Sequence, residues 1–113
     1  MPQSDKHILA QLKQLVGTAS VSSTDTSWDQ GNRRWQSDPL RLTERDHRLY
    51  GLGSADMKGF FPLAIAAASA FSADDIKQPL ILLATADEES SMNGARQLAA
   101  AGRPKARAAI IGE

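Results

Sequence analysis

Residues 78–89 read QPLILLATADEE. Eight residues from Pro79 to Ala86 carry no charge, and three carboxylates follow at once. A short apolar run without alternation, ended abruptly by polar residues, is the pattern of a strand buried on both faces. A second run of the same kind, ARAAIIGE, fills residues 106–113. Between them SSMNGARQLAAAG (90–102) has the make-up of a helix, with Ser90 or Ser91 as cap, Gly102 at the end and Pro104 beyond it.

Upstream, LYGLGSAD (49–56) predicts a short strand running into a glycine turn. From Gly59 the stretch GFFPLAIAAASAF predicts a second helix. Pro62 falls in its first turn, where a missing N–H does no harm. From Leu49 onward the order is β-α-β-α-β with short connections, for which largely parallel strands and right-handed helical crossovers are expected. The fold class predicted is α/β. Ahead of this core, SDKHILAQLKQLV (4–16) places Ile8, Leu9, Leu12, Leu15 and Val16 on one helical face, with Ser4 or Asp5 as cap. Residues 18–48 are rich in Ser, Thr, Asp and Gly and predict a loop-rich connection, with at most a short extended segment near Leu40 and Leu42. One domain is expected over 1–113, made of the helix 1–17, the connection 18–48 and the core 49–113.

Composition narrows the function. Thirteen basic residues balance thirteen acidic ones, which argues against general attraction to nucleic acid or an anionic membrane. There is no cysteine, so disulfides, cysteine zinc sites and thiol nucleophiles are excluded. The polar opening MPQSDKHILA lacks a signal-peptide core, and no apolar run spans a bilayer, so a cytoplasmic location is expected.

The carboxylates share one topological address. Asp56 follows the first expected strand, Asp87, Glu88 and Glu89 the second, and Glu113 the third. The carboxyl ends of strands line the ligand crevice of open α/β sheets. Converging carboxylates repel, and a divalent metal is the natural compensator. A plainer account exists for each residue singly, since acidic groups before a helix complement its dipole. The turn GLGSAD offers a third reading, phosphate binding through backbone N–H groups. It lacks the third glycine of the dinucleotide fingerprint, and Asp56 sits where a phosphate would lie.

LYGLGSADMKGFF, PLILLATADEESSMNGARQL and AIIGE together resemble the M20 family of metal-dependent amidohydrolases and peptidases. The stretch VSSTDTSWDQGN (21–32) is similar to that family's opening. Phe60 and Phe61, and Ser90 after Glu88-Glu89, favour the branch that deacetylates N-acetylornithine in arginine biosynthesis. The resemblance implies a zinc-peptidase-like catalytic domain, one or two zinc or cobalt ions, and a small N-acyl amino acid as substrate. It implies Glu88 as general base and Asp56, Glu89 and Glu113 as metal ligands, with Asp56 bridging two metals. It also implies a homodimer, through a separate domain for which this chain has no counterpart.

The chain departs from the family in its histidines. One family ligand lies in a His-x-Asp motif that would fall where Asn32 meets Arg33, and the other in a C-terminal part beyond Glu113. His7 and His47 match neither motif, and both are expected at the solvated surface. A catalytic zinc site ordinarily includes histidine, and oxygen-only ligation shifts preference toward harder ions. The chain is therefore expected to be a partial catalytic domain, weakly folded, with weak metal binding and no hydrolytic activity of its own. The alternative class is a non-catalytic remnant or binding module of the same fold.

Overall fold

A computed structural model describes residues 4–18 and 35–112. The chain divides into two compact units, Met1–Leu80 and Ile81–Gly112.

In the first unit, α1 (Asp5–Gly17) turns its apolar stripe inward, and Leu12 and Val16 are buried with Leu42, with Leu9 packed beside them. Ser4 stands at the N-cap, yet its hydroxyl makes no bond to the helix backbone. Its Oγ lies 3.2 Å from His7 Nδ1, while its carbonyl accepts the His7 and Ile8 N–H groups. β1 (Thr43–Arg45) and β2 (Arg48–Tyr50) pair antiparallel, with Glu44 opposite Leu49. Asp46 and His47 join them, both in the left-handed region at φ 53° and 57°. Two successive positive φ values make the tight connection whose twist matches paired strands. α2 (Phe60–Ser69) starts where the sequence predicts, with Pro62 buried in its first turn.

Gly51 holds this core together by being small. A Cβ there would stand 2.8 Å from Val16 Cγ1 and 3.3 Å from Leu42 Cδ1. The chain leaving β2 therefore lies directly on the buried end of α1.

The second unit holds α3 (Asn93–Ala101), which starts two residues later than a Ser90 cap predicts and one later than a Ser91 cap predicts. The Asp87 carbonyl accepts the N–H groups of Ser90 and Met92, at 3.2 and 2.7 Å, and so keeps 87–92 as a turn. Ser91 Oγ accepts the Asn93 N–H just ahead of the helix. At the other end Gly102 takes the left-handed conformation, and the Arg103 N–H reaches back to the Leu98 carbonyl.

The parallel β-α-β-α-β core is where structure and expectation part. Among the described residues the only sheet is the antiparallel hairpin of β1 and β2. The first expected strand, at Leu49, is present within β2, but its neighbour is β1. Residues 79–86 and 106–112 contain no strand. Their large side chains lie open: Leu80 is 64% exposed, Ile81 53%, Leu82 48%, Leu83 49%, Ile110 94% and Ile111 84%. An uninterrupted apolar run reports a preference for double burial, not the presence of neighbours on both edges. No described segment supplies those neighbours.

Candidate functional site

The four described acidic positions among those singled out by the sequence occupy different surroundings. Asp56 lies in the first unit, exposed, within the turn Ser54–Lys58 that leads into α2. Gly53 opens this turn at φ 73°, and its carbonyl accepts the Lys58 N–H at 2.7 Å. The Ser54 N–H is bonded to the Gly51 carbonyl. These two amides are thus spent inside the turn, which weakens the phosphate-cradle reading.

Asp87, Glu88 and Glu89 lie in the second unit, on the turn that precedes α3. Asp87 adopts φ 59° and is half-buried, whereas Glu88 and Glu89 are exposed. Asp87 serves the backbone: its carbonyl draws in Ser90, through both N–H and Oγ, and Met92. The glutamates that follow project from a turn and not from a strand end. α3 begins hard against this segment, since a Cβ on Gly94 would meet the Ala86 amide nitrogen at 2.8 Å and its oxygen at 2.9 Å. Glu113 lies outside the described residues.

Among the described residues no three of His, Cys, Asp or Glu gather into a group able to hold a metal ion. The described candidate ligands, Asp56 and Glu89, are both carboxylates and belong to separate units. By themselves they do not fit the metal centre that the resemblance implies. His7, on α1, and His47, at the hairpin corner, are both exposed, as the sequence predicts.

Sequence reasoning missed the role of Lys58. Its ammonium donates to the Leu15 carbonyl at 2.8 Å and to the Thr18 carbonyl at 2.9 Å. Both acceptors belong to the end of α1, where helix carbonyls lack internal partners and a cation is favoured. Lys58 therefore fastens the turn that bears Asp56 to α1. Burial lowers its pKa from the ordinary value. No local signal reveals this, because Leu15 is 43 residues away.

A cavity of about 260 Å³ is lined by Trp35, Gln36, Ser37, Arg45 and Tyr50. The Arg45 guanidinium lies 5.1 Å from the centre of the Tyr50 ring. None of the acidic candidates reaches it. Among the described residues no helix is long and apolar enough to cross a membrane.

The model of peptidase family M20/M25/M40 matches residues 21–113. The chain is 50% identical over 98 residues to a protein named acetylornithine deacetylase from Yersinia pseudotuberculosis serotype O:1b (strain IP 31758). Proteins of the same name from Salmonella arizonae and from Photorhabdus laumondii subsp. laumondii are 49% and 53% identical over 98 residues. Each of these alignments covers 86% of this chain and 25% of the relative, so the chain spans about a quarter of their length. No solved structure matches. With the family match running from residue 21 to residue 113, the chain belongs to peptidase family M20/M25/M40.

Proposed function

We propose that this chain is the carboxylate-bearing part of an amide hydrolase that removes the acetyl group from N-acetylornithine. The observation that carries this is the 50% identity, over 98 residues, to proteins named acetylornithine deacetylase. Those 98 residues make up 86% of this chain. A linear N-acyl amino acid is the substrate class, and arginine biosynthesis the setting.

Glu88 is the proposed general base. Its exposed carboxylate, on a turn fixed by the Asp87 carbonyl, is free to take a proton from water as that water attacks the amide carbon. The same proton then goes to the leaving amine as the C–N bond breaks, giving acetate and ornithine. Asp56, Glu89 and Glu113 are the proposed ligands of zinc or cobalt, a set that extends past the described residues to Glu113. Bound metal in such enzymes polarises a carbonyl and acidifies water. The parallel β-α-β-α-β core belongs to the same proposal: 79–86 and 106–113 become strands where neighbouring strands are supplied.

A second reading is a remnant that keeps the family sequence without its chemistry. The absence of a three-residue metal group among the described residues favours it. Calorimetric titration with zinc and with cobalt separates the two. Binding abolished by Asp56→Ala supports the hydrolase reading, and absence of binding supports the remnant.

A further inference from the structure

The hairpin carries a pair of cations that its own stability does not require. Arg45 of β1 stands opposite Arg48 of β2, and Thr43 opposite Tyr50. Opposite residues of a ladder share a face, so Arg45, Arg48 and Tyr50 lie on one side of the hairpin. Like charges set opposite each other are destabilising there. Among the described residues, the carboxylate paired with Arg45 is that of Asp46, 3.7 Å from Nε and too far for a hydrogen bond. The Asp46 side chain is 81% exposed, so water screens its charge.

Tyr50 fixes the Arg45 guanidinium, which lies over its ring at 5.1 Å from the centre. Contact through the flat face of a guanidinium leaves its in-plane N–H fork for an anion. Arg45 and Tyr50 form one wall of the cavity of about 260 Å³ in the first unit, and Trp35, Gln36 and Ser37 form the other. That second wall is tied down just past Ser37. The Leu40 N–H donates to Asp38 Oδ1 at 2.9 Å, and the Leu52 N–H donates to the Pro39 carbonyl at 2.7 Å. The segment is thereby held beside the exit of β2. The cavity thus presents one guanidinium, an aromatic ring on each wall, an amide and a hydroxyl.

We propose that this cleft binds a small aromatic carboxylate, with the carboxylate on Arg45 and the ring against Trp35. A carboxylate matches the guanidinium fork with two parallel hydrogen bonds. A flat ring matches the aromatic walls and gains from offset or edge contact with the indole. Sites for drug-sized ligands occupy about 300–1,000 Å³, so this smaller cavity suits a single ring. Inorganic phosphate would use the fork but leave both rings without a partner. This proposal does not rest on the hydrolase reading, because none of Asp56, Glu88 and Glu89 lines the cleft.

NMR titration of the full chain with benzoate, benzamide and inorganic phosphate tests it. Benzoate is expected to shift the Trp35 indole N–H and the Arg45 Nε–H signals in a saturable way. Benzamide keeps the ring without the charge and is expected to bind about tenfold more weakly, as is phosphate. The Arg45 side chain is 54% exposed, so Arg45→Gln spares the core, and it is expected to raise the benzoate Kd about tenfold. Trp35→Ala is expected to raise it about three- to tenfold. A native chain without saturable shifts at Trp35 and Arg45 overturns the proposal. Benzamide binding as tightly as benzoate overturns it too, since that marks unspecific aromatic adhesion. So does phosphate binding as tightly as benzoate, or a benzoate Kd that Arg45→Gln leaves unchanged.

Discussion

Replacing Lys58 with methionine keeps the side chain's length and apolar stem and removes its charge. Two hydrogen bonds disappear, to the Leu15 and Thr18 carbonyls at 2.8 and 2.9 Å. A bond from a charged donor contributes about 1.5–3 kcal/mol. The cation also sits at the carbonyl end of α1, worth about 0.3–1 kcal/mol. Leu15 and Lys58 are half-buried and Thr18 is exposed, so the sum must be discounted for screening. A total loss of about 1–2 kcal/mol is expected, most of it from freeing the turn at Asp56 and the last turn of α1. For a domain of this size each kcal/mol lowers Tm by about 4–8 °C. Urea unfolding followed by far-UV circular dichroism measures the loss, and hydrogen exchange locates it. Amides of the Ser54–Lys58 turn and of the end of α1 are expected to exchange faster in the variant. An unchanged urea midpoint with unchanged exchange in both segments refutes the tethering role.

Gly51→Ala places a methyl group 2.8 Å from Val16 Cγ1 and is expected to cost about 1–3 kcal/mol in the same unfolding assay. His47→Gly relieves a left-handed residue that costs about 1–2 kcal/mol, against about 0.5–1 kcal/mol of glycine entropy, so a stabilisation near 0.5 kcal/mol is expected. Because His47 lies at an exposed hairpin corner, the same variant leaves metal affinity unchanged in calorimetry. Hydrogen bonds from the Ser72 hydroxyl and amide lower the Asp75 pKa. A depressed folded pKa contributes stability above the unfolded aspartate pKa of about 3.9, and that contribution disappears as pH falls through the folded value. NMR titration is expected to find the Asp75 pKa lowered in the native chain and partly restored toward the ordinary value in Ser72→Ala.

The helices were legible because their signals are local. The stripe of Leu9, Leu12 and Val16 locates α1, Pro62 marks the first turn of α2, and Gly102 closes α3. The family, too, was legible, from the acidic turns and their flanks. The sheet was not. Leu80–Leu83 and Ile110–Ile111 carry strand composition, but a strand exists only as part of a ladder, and a ladder depends on distant neighbours. The hairpin shows the converse. Asp46 and His47 form a tight turn within a polar, turn-like segment, but the weak alternation of Leu40 and Leu42 does not announce the strands it joins. Of the acidic candidates, the sequence identified the residues but not their settings. Asp87 proves to be a backbone organiser, Glu88 and Glu89 stand on its turn, and Lys58 anchors Asp56 through a partner too remote for any local pattern.

The central proposal is that the carboxylates divide their roles, with Asp56 serving a metal and Glu88 a proton. Calorimetric titration of cobalt into the native chain, Asp56→Ala and Glu88→Gln tests it most directly. The predicted result is weak binding by the native chain, lost in Asp56→Ala and retained in Glu88→Gln. Binding that Asp56→Ala leaves intact, or no binding to any of the three, contradicts it.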